Sequence, residues 1–342
     1  MVDLLKKGNL SPKDITEIAT RLHYAALEQI FRVSDWRVGD AVFQGGTSLK
    51  VAWNSPRFSE DLDFMISAEQ MPQLDRIMKR LVGKVRAALA HDLAGSDFRL
   101  KGACNPDNRL QRYEIVWSHP NKRGKVSVKL EFLETPRSKL VLYPTRIAIP
   151  MPEPETKVTI NTPIPVPELM GSFSDKMVAL AKREYHKARD VYDVAFITDH
   201  LSRSGVDLSE EAYDRMARTA MNVASIYHYT PESIIAGLER YLEKPESRDV
   251  QALDNDMRRW LDPQLHAALT HNNEFSRMLE TTRAQVISMV AALNRLDRRG
   301  ELDRWRTPPA CEDGLRRSAP PPEPQAPLYE GDEPDLTSPA AA

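Results

Sequence analysis

Between Phe43 and Phe64 the chain reads FQGGTSLKVAWNSPRFSEDLDF, and the order of residue types in that stretch suits phosphate chemistry. The pair Gly45 and Gly46 follows a short apolar run, so backbone amides there can approach an anionic group closely. Thr47 and Ser48 come next, at the start of an expected helix, where their hydroxyls can hydrogen-bond phosphate oxygens. Arg57 and Ser59 lead into Asp61 and Asp63, which alternate across Leu62. On an extended strand both carboxylates then project to the same side. Two adjacent acids repel unless a cation lies between them, and Mg²⁺ is the hard ion that couples a few carboxylates to substrate phosphates. Alone, Gly-Gly is usually a turn and D-x-D a solvated strand end, so the information lies in their order.

The surrounding elements must position these groups. KDITEIATRLHYAALEQIFRVS places Ile15, Ile18, Leu22, Ala25, Ala26 and Ile30 at helical spacing behind Ser11 and Pro12 as start signals. AVFQ is a short apolar piece, LDFMI reads as a strand, and the segment from Met71 to Asp92 returns to the helical period. FRLKGA, QRYEIVWS and KVSVKLEFL then read as strands. In the last, Val126, Val128, Leu130 and Phe132 share one face, while Lys129 and Glu131 share the other. Proline punctuation from Pro144 to Pro167 predicts an extended crossing, and from VPELM to about Leu296 almost everything reads as helix. The expected fold class is α+β: a mixed domain over residues 1–165, a helical domain over 166–300 and a proline-rich acidic tail over 301–342.

At 342 residues and 41% hydrophobic content the chain can bury a sizeable core. No run approaches the roughly 20 apolar residues a membrane helix needs, and the start MVDLLKKGNLSPKD has no apolar core of a signal peptide, so a cytoplasmic protein without membrane attachment is expected. Cys104 and Cys311 are too few and too far apart for a disulfide framework, and the eight histidines show no ligand spacing with them, which argues against zinc. The net charge of −2 conceals an asymmetry. From Thr307 onward two arginines face seven acids, which leaves residues 1–306 at +3. Any nucleic-acid surface must therefore be local, and HPNKRGK (119–125) and KREYHKAR (182–189) are its candidates. The tail composition predicts an extended segment without a packed core.

Gly-Gly, a hydroxyl pair, and then D-x-D resemble the signature of the polymerase-beta-like nucleotidyltransferase superfamily. A second constellation, SDKMVALAKREYHKARDVYDVAF, carries Lys176 and then Lys187, Arg189, Asp190 and Asp193. RFSEDLDF followed by this lysine helix and K-x-R-D-x-Y-D resembles the AbiEii and MenT family of nucleotidyltransferase toxins over roughly residues 40–200. The resemblance implies a phosphate-binding loop at Gly45, Gly46, Thr47 and Ser48, with Arg57 and Ser59 beside the nucleotide. It implies metal-binding carboxylates at Asp61 and Asp63, with Glu131 as the third acid from a neighbouring strand. It makes Lys176 the essential lysine, set to contact triphosphate, and Asp190 the essential acid beyond it, although loose spacing leaves Asp193 open.

The activity implied is Mg²⁺-dependent transfer from an NTP to the 3′ end of tRNA, blocking aminoacylation and growth and opposed by a cognate antitoxin protein. Two other readings remain from the residues. One is a same-fold transferase acting on a small molecule or protein hydroxyl, and the other is a non-catalytic nucleotide- or RNA-binding module.

Overall fold

The computed structural model describes residues 2–150, 159–185 and 187–306. Five strands, β1 (Ala41–Gln44), β2 (Asp61–Ser67), β3 (Asp97–Lys101), β4 (Leu110–Ser118) and β5 (Val126–Thr135), form one sheet in the order β1-β2-β5-β4-β3. Strands β2 and β5 pair in parallel, and the other three pairings are antiparallel. A parallel pair needs a long crossover. Here the chain between β2 and β5 supplies helix α3 (Leu74–Ala88) and the hairpin partners β3 and β4.

One face of the sheet is closed by α1 (Pro12–Val33) and α3. Helix α1 begins at a capping box in which Ser11 and Asp14 satisfy each other's backbone amides, with Pro12 in the first turn, as the start signals predict. Its apolar stripe, including Ile18, Leu22 and Leu27, meets Ile77 and Leu81 of α3 over Leu62, Phe64, Ile66 and Phe132. Phe64 and Phe132 stack with ring centroids 5.1 Å apart.

The opposite face meets the helices of the second half: α4 (Leu169–Lys182), α5 (Ala188–Arg203), α6 (Glu210–Ile226), α7 (Pro231–Glu243), α8 (Val250–Met257), α9 (Pro263–His271) and α10 (Glu274–Arg298). Val42, Met65 and Leu133 of the sheet share a core there with Phe173, Met177, Met216, Met289 and Leu296. A third cluster joins Val191 and Tyr192 of α5 to Met257, Trp260 and Phe275. The proline-punctuated crossing contributes a two-stranded ribbon, Thr145–Ala148 against Ile164–Pro167.

Residues 301–306, placed with the tail by composition, include a helical turn, Asp303–Arg306, and bury Leu302 and Trp305 against the helical core. Residues 307–342, including Cys311, lie outside the described residues, and Cys104 is a free, half-buried thiol. No helix among the described residues is long and apolar enough to cross a membrane.

Candidate active site

The stretch from Phe43 to Phe64 folds as β1, then helix α2 (Gly45–Trp53), a loop, and β2. Gly45 begins α2 at φ +81°, in the left-handed region where a side chain is strained. A Cβ at Gly45 would also run into the Asp63 carboxylate, and one at Gly46 into the Arg57 guanidinium. Both glycines therefore hold space beside charged groups. Gln44 caps α2 without a side-chain hydrogen bond, which leaves the first amides of the helix free of a side-chain cap. The hydroxyls behave differently from expectation. Thr47 Oγ1 donates to the Asp61 carbonyl at 2.6 Å and Ser48 Oγ to the Gly45 carbonyl at 2.8 Å, so both brace the loop with their protons.

The alternation of β2 places Asp61 and Asp63 on one face, and the parallel register sets Lys129 opposite Asp61 and Glu131 opposite Asp63. Asp61 Oδ1 is buried and has no hydrogen-bond partner. Burial, and then the nearby Glu131, raise the Asp61 carboxyl above its ordinary range. Asp63 is pushed up to about 7 by burial first, then by Asp61 and Glu131. An orphaned carboxylate oxygen and a second acid held against its own ionisation fit a divalent cation between Asp61 and Asp63. Glu131 shares this face and has a second partner: its Oε1 accepts from Arg112 Nε of β4 at 2.9 Å, and the described residues form no ready cluster of three metal-ligating side chains.

Arg57 was expected beside the nucleotide, and the structure gives it another partner. Its guanidinium is 1% exposed and grips Asp193 of α5 with two bonds, Nε to Oδ1 at 2.5 Å and Nη2 to Oδ2 at 2.6 Å. Its Nη1 donates to the Phe58 carbonyl at 2.8 Å. Ser59 lies half-buried in the same loop.

Lys176 of α4 bridges both candidate acids, 3.0 Å from Asp190 Oδ1 and 2.7 Å from Asp193 Oδ2. Asp190 also pairs with Arg183. Burial alone would raise the Asp193 carboxyl, yet Arg57 and Lys176 outweigh it and hold the group at about 2, fully ionised. Asp193 is thus locked between two cations inside the protein, whereas Asp190 shares its cations with the half-exposed end of α4. Sequence reasoning missed two features. Arg183 and Lys187 lie close enough to Asp63 and Asp61, respectively, to be felt by them, and Arg189 acts on both. Burial and the neighbouring cations hold Lys187 down to about 8. The signal was present in the run KREYHKAR, but its proximity to the acids depends on how α4 and α5 pack on the sheet.

A carboxylate pair at a strand start, next to a glycine-opened helix and rimmed by arginine and lysine within a mixed α+β fold, has the arrangement of a nucleotidyltransferase. Residues 37–281 match the family described as nucleotidyl transferase AbiEii toxin, Type IV TA system. That is well over half of the sequence, and the chain belongs to this family of nucleotidyltransferase toxins.

Among solved structures it is similar to MenT4, a nucleotidyltransferase toxin from Mycobacterium tuberculosis, at 18% identity and a TM-score of 0.48, over 86% of this chain and 93% of that one. It is also similar to JHP933 from Helicobacter pylori, at 18% identity and a TM-score of 0.41, over 84% of this chain and all of that one. At those scores neither likeness carries an argument about function. No curated protein matches.

Proposed function

We propose that this toxin transfers a nucleoside monophosphate from an NTP to the 3′ end of tRNA, blocks aminoacylation, and is opposed by a cognate antitoxin. The observation that carries the reading is the half-buried Asp61–Asp63 pair, with Asp61 Oδ1 lacking a partner, beside the N-terminus of α2 and within electrostatic reach of Arg183, Lys187 and Arg189. Asp61 and Asp63 would hold Mg²⁺, whose chemistry is to acidify a hydroxyl and offset phosphate charge.

The chain's own groups do the rest. The amides at Gly45 and Gly46 receive phosphate oxygens, and the dipole of α2 favours their charge. In the transfer, the RNA 3′-hydroxyl gives up its proton to solvent as its oxygen bonds to the α-phosphorus, the bond from that phosphorus to the bridging oxygen breaks, and pyrophosphate leaves with the electron pair. In this reading Arg183 and Lys187, whose charges bear on Asp63 and Asp61, help neutralise the departing charge, a role expected from the sequence for Lys176 and Arg57. Lys176 keeps Asp190 and Asp193 in place and its charge also bears on Asp63, so it acts on the site both through α5 and directly.

Incubating the purified chain with each labelled NTP and with either tRNA or total protein tests the reading. Label is expected on tRNA, with slower migration and loss of charging, and none with Asp63→Ala. Label on protein, or on neither, overturns the tRNA assignment. Expressed without its antitoxin, the chain is expected to arrest growth, and Asp63→Ala at equal abundance is expected to be harmless.

A further inference from the structure

We propose that the tip of the β4–β5 hairpin, together with the strand Gly8–Asn9, forms a docking groove for the phosphate backbone of the RNA acceptor. The proposal rests on the reading of the chain as an RNA-directed transferase and adds a second contact region to it.

The groove is a built feature. Gly8 and Asn9 pair in parallel with Lys122 and Arg123. The Gly8 amide donates to the Asn121 carbonyl at 3.0 Å, and Asn121 Nδ2 donates to the Leu4 carbonyl at 3.1 Å. Between these segments lies a cavity of about 380 Å³ whose lining includes Lys7, Asn9, Asn121, Lys122 and Arg123. The backbone ladder thus fixes where the basic side chains begin.

The charge there is not internally neutralised. Lys7, Lys122, Arg123 and Lys125 make no ion pair among the described residues, unlike Lys6, which has Asp3 at 3.7 Å. Asp14 lies within electrostatic reach of Lys122, but its carboxylate already accepts from the Ser11 amide and hydroxyl at the start of α1. Pro120 is the sole apolar residue lining the cavity. A folded protein partner needs an apolar anchor to bind specifically, whereas a phosphate chain needs cations alone.

Position links the groove to the chemistry. The hairpin runs directly into β5, where exposed Lys129 stands opposite Asp61, followed by Glu131 opposite Asp63. Lys125 and Lys129 lie four residue steps apart along the chain, about 13 Å. On the β4 side the acid beside Lys129 is Glu114, which Lys101 holds at 3.0 Å. A strand of RNA with its 3′ end at the carboxylate pair can therefore lay its preceding phosphates past Lys129 and Lys125 into the groove.

The test is binding of labelled tRNA to the full chain without NTP, followed by fluorescence anisotropy across a salt series. Two variants are compared with the parent, Lys122→Gln with Arg123→Gln, and Lys7→Gln with Lys125→Gln. Each removes two phosphate contacts, so the slope of log K against log salt is expected to fall by roughly two and the affinity by tenfold or more at low salt. A variant that melts with the parent and binds with its affinity and slope overturns the groove. If tRNA binds through the groove but never receives label, the groove stands and the acceptor reading fails. If tRNA is labelled while both variants bind normally, the groove fails and the acceptor reading stands. Failure of the parent to bind tRNA overturns the groove as well.

Discussion

Asp61 and Asp63 share a face of β2, yet the two carboxyls meet different surroundings. Asp63 abuts the start of α2 so closely that only glycine fits at position 45, and its carboxyl resists ionisation up to about 7. A bound divalent ion relieves this, so Mg²⁺ is expected to raise the melting temperature of the parent and not that of Asp63→Asn. Transfer is expected to fall by at least about a thousandfold in that folded variant, in line with removal of a charge-stabilising group from a site of this kind. An Mg²⁺-induced shift that survives the substitution would count against the assignment.

Asp175 offers a pH test apart from the metal. It is half-buried, accepts a hydrogen bond from the Tyr143 hydroxyl, and has its other oxygen buried and orphaned; desolvation raises it to about 7. Its folded-state value lies above its unfolded value near 3.8, so the folded chain retains the proton longer. Stability from this group is present below about pH 4 and lost as the pH rises through about 7. The parent's melting temperature is expected to decline across that window more steeply than that of Asp175→Asn. Parallel curves would refute the shift.

At the scale of elements, the loop between α2 and β2 is held from outside the sheet. Arg57 grips Asp193, the Phe58 amide donates to the Trp260 carbonyl at 2.7 Å, and Glu60 pairs with Arg259 at 3.0 Å. Truncating Arg57 to Ala strands a buried carboxylate beside Lys176, and a loss of about 3–5 kcal/mol in urea unfolding is expected. Arg57→Lys restores charge without the two-pronged grip and is expected to recover only part of it. Equal stability of Arg57→Ala and the parent would mean that the grip contributes nothing.

This element also shows what sequence could and could not convey. The period-2 pattern of LDFMI and KVSVKLEFL showed which residues share a face, because alternation is local. It could not show that Glu131 would turn to Arg112, or that Arg57 would bond an acid 136 positions away, because those contacts follow from strand order and helix docking. Helix starts were legible through Ser11 and Pro12. The tail boundary was not, since the burial of Leu302 and Trp305 depends on packing against α6 and the helical core that composition does not describe.

For the whole molecule, that boundary leads to a comparison of two truncations. A chain ending at Arg306 keeps Leu302 and Trp305 and is expected to melt with the parent, as the tail's composition predicts. A chain ending at Gly300 loses two buried side chains that contribute roughly 1.5–3 kcal/mol each, and its melting temperature is expected to drop by several degrees. Identical melting of the two would show that the terminal turn adds no stability.

Strand β2 sends Leu62, Phe64 and Ile66 into one hydrophobic core and Met65 into the other. The backbone that carries Asp61 and Asp63 is therefore a shared wall, and neither half of the protein can loosen without exposing one side of it. Amide protons of Phe64 and Met65 are expected to exchange with deuterium only through global opening, at the slowest rates in the molecule. For a toxin this has a biological meaning: cleavage that separates the two halves destroys the wall, so no fragment carrying only one half is expected to retain activity.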